Sequence, residues 1–159
     1  KLARILLNTP TSMLEVVLAA EVNSVETIGV SGQHIRVEVD LLRRLPSISI
    51  VGLARHSVKE STERVRSAIN ACGYEVPKKR IVINLAPASV PKKGTGLDLP
   101  IAIGILAASG QIAVDLSPYL FVGELSLSGR LRPVAGAISM AELAVKQGRT
   151  LIVSNNSAR

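Results

Sequence analysis

The stretch of sequence that decides the fold runs from position 84 to 106 and reads NLAPASVPKKGTGLDLPIAIGIL. It joins a short apolar strand to an almost wholly apolar segment through a basic loop that prolines and glycines interrupt. Asp98 is predicted to cap a helix over 99–108, because its side chain could accept hydrogen bonds from the free N–H groups of the first turn. A helix that is apolar on all sides must be covered on most of them. The stretch therefore predicts a central helix against which a sheet packs.

The remaining elements follow from hydrophobic periodicity and turn residues. Strands are predicted at 14–22, 33–40, 47–51, 81–84, 119–125, 130–134 and 150–153. A capping box at Ser57 and Glu60 predicts a helix that ends at Gly73. A third helix is predicted over 136–147, with Ile138, Ala141 and Val145 on one face. This order predicts an α/β fold, an α+β sandwich in which helices cover one side of a mixed sheet.

The composition limits what the chain can do. Its 159 residues suit one domain with a single core, and 47% of them are hydrophobic but only 2% aromatic. The core is therefore predicted to consist of Val, Ile, Leu and Ala. Few aromatic side chains argue against binding single-stranded nucleic acid by base stacking.

The positive charge is concentrated in one part of the chain. Positions 41–93 hold eleven Lys or Arg against three acids, so this part alone accounts for the net charge of +7. Such a region attracts phosphate backbones or an acidic partner surface, although a solvated basic face without a partner is the alternative. The candidate DNA-contacting residues are Arg43, Arg44, Arg55, Lys78, Lys79, Arg80, Lys92 and Lys93.

Other features set the compartment and the boundaries. A single cysteine, Cys72, excludes an internal disulfide and favours a reducing compartment, and its position predicts a small core residue. No apolar run is long enough to span a membrane, so we expect a cytoplasmic protein with no membrane partner. Residues 1–12 precede Met13 and are interpreted as a leader or an added remnant. Residues 13–159 are interpreted as one domain excised from a longer protein.

Recognisable cofactor chemistry is missing from the sequence. The glycine-rich loop at 93–96 lacks the G-x-x-x-x-G-K-[ST] spacing that cradles nucleotide phosphates. The acids are scattered, and two histidines with one cysteine do not give zinc-site spacing. We therefore expect neither a metal nor another cofactor in this domain.

Several sequence blocks occur together in a characteristic order. They are VGL at 51–53, VKES at 58–61, RVRSAI at 64–69, NLAPA at 84–88, LDLPIA at 97–102 and VGELSLSGRLRPV at 122–134. Together they resemble the N-terminal domain of the Mg-chelatase-like AAA+ proteins, the ComM/YifB group. The resemblance covers roughly residues 31–153.

The resemblance implies a fold and a context. Such domains have the ribosomal S5 domain 2-like fold, which the proteolytic domain of Lon shares. In the family they precede an AAA+ motor that binds ATP and Mg²⁺, and the whole proteins form hexamers that process branched DNA during natural transformation. The chain would then be a non-catalytic module whose partners are DNA and its own motor domain.

The resemblance to Lon also implies a test for peptidase activity. Lon-type peptidases use a serine and a lysine, and the corresponding positions here hold Gly96 and Ile138, so no catalytic residue is expected. A displaced dyad of Thr95 with Lys92 or Lys93 remains an alternative, although neighbours on one loop rarely hold the required geometry. An RNA-binding domain of the S5 type is a further alternative.

Overall fold

The structure is a computed structural model that describes residues 20–52, 55–92 and 95–158, and it leaves the side chains of residues 55, 56 and 158 undescribed. The interpreted leader at 1–12 and the predicted strand residues 14–19 lie outside this description. The described elements are β1 (Ala20–Ile28), β2 (Ser31–Leu42), β3 (Ser47–Val51), α1 (Arg55–Ala71), β4 (Arg80–Ala86), α2 (Asp98–Ala108), β5 (Tyr119–Phe121), β6 (Glu124–Leu125), β7 (Leu131–Arg132), α3 (Ala137–Lys146), β8 (Thr150–Ile152) and a 3₁₀ turn (Asn155–Ala158).

The principal sheet has four strands in the order β1-β2-β4-β3. Neighbouring strands are antiparallel except β3 and β4, which run parallel, so the predicted mixed sheet is confirmed. The alternation that predicted β2 holds in the structure, because Ile35, Val37 and Val39 are buried on one face while Arg36 is exposed.

Helix α2 is the central helix, as predicted, and lies on this buried face with α1 beside it. Ile101 and Ile105 are completely or almost completely buried. Gly104 lets the helix approach the sheet closely, since a Cβ there would lie 2.6 Å from Cγ2 of Val39. Val65 and Ile69 of α1 complete the same core.

Helix α3 lies on the opposite face of the sheet, so the prediction that helices cover only one side is wrong. Met140 packs there with Val25 and Val122 in a second, smaller cluster. The predicted apolar face of this helix is its exposed face, because Ile138 is 75% and Val145 is 80% exposed. Periodicity identified a stripe along the helix but could not tell which side of it meets the sheet.

The stretch predicted as a single strand at 119–125 is divided at residues 122 and 123. Its first part, β5, pairs in parallel with β8, whereas β6 pairs antiparallel with β7. The backbone explains the break: Val122 N–H donates to Ile152 at 2.9 Å, and Gly123 N–H donates to Gly96 at 2.7 Å. The stretches predicted as strands at 119–125 and 130–134 thus pair with each other only through β6 and β7.

Three local predictions are corrected. Helix α1 begins at Arg55, so Ser57 lies inside the helix and does not cap it. Helix α2 begins at Asp98 and is preceded by Leu97, without a side-chain cap. Cys72 is exposed, because α1 ends one residue before it. Among the described residues, no helix is long and apolar enough to cross a membrane.

Candidate nucleic-acid interface

Two basic runs that are far apart in sequence meet at one end of the principal sheet. Arg80 begins β4 and pairs with Leu42 of β2 on one side and with Ser47 of β3 on the other. Because β4 lies between these strands, the chain from 43 to 46 crosses the start of β4. Arg43 and Arg44 are therefore placed beside the lysines that lead into β4.

The cations at this end face solvent. The exposed ones are Arg43, Arg44, Lys78 and Lys79, and Arg80 is half-buried. Backbone hydrogen bonds fix the two segments, with Ser47 N–H donating to Lys79 at 3.4 Å and Arg44 N–H donating to Leu42 at 2.8 Å. We call these five residues the basic end.

The other three candidates do not join the basic end. Helix α1 starts after β3, so Arg55 follows the opposite end of the sheet, and its side chain is not described. Lys93 lies outside the described residues. Lys92 is only 6% exposed, and its ammonium donates to the carbonyl oxygen of Leu85 at 2.9 Å and to that of Pro87. Burial lowers the pKa of Lys92, and this ammonium holds the end of β4 and is not presented to a ligand.

Asp98 has a role that the sequence did not indicate. It is 1% exposed and ion-paired with Arg64, with 2.6 Å between Nε and Oδ2 and 3.2 Å between Nη2 and Oδ1. Ser61 donates to Oδ1 at 2.7 Å, and the backbone N–H of Leu125 donates to Oδ2 at 3.3 Å. We call this cluster the Asp98 node. It ties α1, α2 and β6 together, and the hydrogen bond to Asp98 raises the pKa of Arg64.

Sequence reasoning missed the node because the partners of Asp98 lie 27 to 37 positions away from it in the chain. The available signal was weak: Ser61 and Arg64 lie on α1 toward the side of buried Val65 and Ala68. Arg64 is partly exposed, with 19% of its side chain accessible, so its stem covers apolar surface while its head reaches inward.

A second polar cluster lies next to this node. Glu124 accepts a hydrogen bond from the hydroxyl of Thr95 and forms an ion pair with Arg132 at 3.1 Å. The Thr95 hydrogen bond, with the ion pair, lowers the pKa of Glu124. The displaced dyad that the sequence left open was Thr95 with Lys92 or Lys93. Thr95 and Lys92 have separate partners and are not hydrogen-bonded to each other, whereas the pair with Lys93 lies outside the described residues.

The two positions that correspond to the Lon dyad are not brought together. Gly96 lines a cleft of about 480 Å³ between β1, the 133–136 turn and α3. Ile138 does not line this cleft and lies on the exposed face of α3. Neither position offers a group that could attack a carbonyl or accept a proton.

The residues described here also do not fit ATP or Mg²⁺. No group of three or more His, Cys, Asp or Glu side chains within the described ranges is placed to hold a metal ion. The described glycines do not form a phosphate loop of P-loop spacing.

Fold and site together define an α/β domain whose described residues form a four-stranded mixed sheet, three α-helices and a cluster of cations at one end of the sheet. A family model described as subunit ChlI of Mg-chelatase matches residues 37–157. The chain therefore belongs to the Mg-chelatase-like family that includes YifB and ComM.

Individual relatives agree with this assignment. The chain is 52% identical over 131 residues to YifB of Escherichia coli strain K12. The aligned region covers 82% of the chain and 26% of that protein. It is 46% identical over 140 residues to competence protein ComM of Haemophilus influenzae strain Rd, covering 87% of the chain and 28% of that protein. It is more distantly similar to Lon protease 2 of Bacillus subtilis, at 25% identity over 165 residues, covering 91% of the chain and 30% of that protein. The chain thus spans about a quarter of the length of its relatives YifB and ComM.

Proposed function

We propose that this domain is a non-catalytic N-terminal module of a Mg-chelatase-like AAA+ protein that processes DNA, and that its basic end contacts the DNA backbone. The observation that carries the proposal is the meeting of two separate basic runs at the start of β4. Cations on short, backbone-anchored segments can read phosphate positions without reading bases.

The charge distribution favours the basic end over the rest of the sheet. Glu21, Glu38 and Asp40 lie together on the face that α1 and α2 leave open. A polyanion is repelled from these acids and attracted to the basic end. The basic end is therefore a more favourable approach for DNA than the acidic part of this face.

The wider context is part of the same proposal. Membership of the family supports a motor domain that binds ATP and Mg²⁺ elsewhere in the whole protein, and assembly of that protein into a hexamer. The name of ComM supports a role in competence, and processing of branched DNA in the cytoplasm would suit it. The mixed sheet and the similarity to Lon protease 2 support an S5 domain 2-like fold.

The test is fluorescence anisotropy of the chain with single-stranded, duplex and forked DNA over a series of salt concentrations. In Arg44→Ser/Lys78→Ser/Lys79→Ser, each lost phosphate contact should reduce the salt slope for duplex DNA by about 0.9. The matched control, Arg36→Ser/Lys59→Ser/Lys146→Ser, removes the same charge from exposed residues elsewhere.

An equal loss of affinity in the two triple variants would show that net charge acts without a site. No binding even at low salt would reject the DNA contact and leave assembly as the role of the domain. A marked preference for structured RNA over all three DNAs would favour the S5-type alternative.

The similarity to Lon protease 2 supports a second candidate function for the domain, a hydrolase with a displaced dyad. The separate partners of Thr95 and Lys92 argue against it. A fluorophosphonate probe should not label the chain. Labelling that is lost in Thr95→Ala would establish the hydrolase instead.

A further inference from the structure

An apolar side chain lies in the middle of the basic end. Leu45 is 88% exposed, more than any other large hydrophobic side chain in the part of the chain that the structure describes. It stands between Arg44 and Pro46 on the segment that crosses the start of β4. The lysines of the basic end, Lys78 and Lys79, lead into that strand. Single exposed hydrophobic residues are common on protein surfaces, and Leu45 differs from them in its position among cations.

The backbone on both sides of Leu45 is anchored to the sheet. The N–H of Arg44 donates to the carbonyl oxygen of Leu42 at 2.8 Å, and the N–H of Ser47 donates to that of Lys79 at 3.4 Å. The proline that follows Leu45 restricts it further, because the ring disfavours the helical conformation in the preceding residue. A side chain on such a segment loses little conformational freedom when a ligand covers it.

The combination of cations and an apolar side chain fits one form of DNA better than the others. Cations attract the phosphates of every DNA, whereas burial of Leu45 needs an apolar surface. A continuous duplex covers the faces of its base pairs by stacking. The last base pair before a fork or an end has one uncovered face, with phosphates on both sides of it. Apolar side chains that pack against base faces occur in other DNA-binding proteins.

We propose that Leu45 packs on the uncovered face of the terminal base pair at a fork or branch point, while the cations of the basic end hold the neighbouring phosphates. The proposal rests on the DNA contact proposed above and names the kind of DNA that this contact prefers. The preference is for an uncovered base pair and not for a base sequence, because an aliphatic side chain makes no hydrogen bonds with base edges. Continuous duplex is bound by the cations alone.

The experiment compares two DNAs that have the same paired sequence and the same number of phosphates. One is a fork, and the other is a duplex closed at both ends by hairpin loops, which cover its terminal base pairs. In fluorescence anisotropy, the chain should bind the fork about threefold to tenfold more tightly than the closed duplex. Leu45→Ser should remove this preference and leave the affinity for the closed duplex unchanged. The salt slope should also stay unchanged, because the substitution removes no charge.

Val30→Ser is the matched control. Val30 is 87% exposed and precedes β2, whereas Leu45 follows the other end of that strand, so this variant should retain the preference for the fork. The chain contains no tryptophan, so Leu45→Trp introduces a single fluorescent reporter. The fork should quench its emission by base stacking, and the closed duplex should quench it much less. Val30→Trp should show no such difference between the two DNAs.

Failure of this proposal can be told from failure of the DNA contact. No binding to either DNA at low salt would reject both together. Equal affinities of the chain for the two DNAs, or an unchanged preference in Leu45→Ser, would overturn the role of Leu45 and leave the backbone contact standing. A preference that Val30→Ser and Leu45→Ser lose equally would also overturn it.

Discussion

Replacing Asp98 by alanine tests whether the Asp98 node holds the helices to the hairpin. The carboxylate accepts four hydrogen bonds: two from Arg64, one from Ser61 and one from the backbone of Leu125. Its removal leaves a largely buried guanidinium whose nearest remaining acidic partner is the exposed Glu60, 4.0 Å away. Breaking a buried ion pair in this way typically costs 3–5 kcal/mol. Since 19% of the Arg64 side chain stays accessible to water, we take the lower end, about 3 kcal/mol.

Urea unfolding followed by circular dichroism measures this cost as a change in the free energy of unfolding. A loss of about 3 kcal/mol corresponds to a decrease in Tm of about 6–12 °C for a domain of this size. Ser61→Ala, which removes one hydrogen bond, should cost about 1 kcal/mol.

A double-mutant cycle isolates the pair. With Arg64→Met and Asp98→Ala, we expect a coupling free energy of about 2 kcal/mol, because removal of one partner makes removal of the other less costly. The reasoning is refuted if Asp98→Ala costs less than about 1 kcal/mol, or if the effects of the two substitutions simply add.

Three further predictions concern single side chains. Lys92→Met should lower the free energy of unfolding by about 1–3 kcal/mol in urea titrations, because it removes two hydrogen bonds from a buried ammonium to backbone carbonyls. It should not weaken DNA binding, and a loss of DNA affinity as large as that of the basic-end triple variant would contradict the buried role. The lowered pKa of Glu124 means that its stabilisation is present above the ordinary value of 4.5 and is lost as the pH falls below it. The free energy of unfolding of the wild type should therefore decrease more than that of Glu124→Gln between about pH 7 and pH 3. Equal decreases would show that the ionised Glu124 and its hydrogen bond to Thr95 do not stabilise the fold. Burial and the neighbouring Arg149 lower the pKa of His34 below 6.5, so Arg149→Met should raise that pKa in an NMR titration, and an unchanged value would exclude the contact.

The sequence predicted elements whose signal is local. The apolar run that forms α2 and the alternation of β2 needed only neighbours along the chain, and both were found. The apolar face of α3 could be seen but not oriented, because the decision depends on the sheet and on which residues of the helix it meets.

The candidate site was likewise predictable only in part. Arg44 and Lys79 could be named from charge alone, but their proximity depends on the strand order β2-β4-β3, which the sequence did not specify. Lys92 belongs to the same charge run, and only the three-dimensional path of the loop shows that its ammonium turns inward. Charge is a property of composition, whereas its accessibility is a property of the fold.

The cations of the basic end are gathered at one end of the principal sheet, so the positive charge of the described residues is distributed unevenly over the domain. In the field of a polyanion such a molecule experiences a torque, so it turns before it makes contact. Most of this orientation occurs within about 10 Å of the surface at 0.1 M salt, the distance over which ions screen the field. In the DNA contact proposed above, encounters would then begin with the basic end in front, and added salt would remove this rotational advantage before it removes the contact itself.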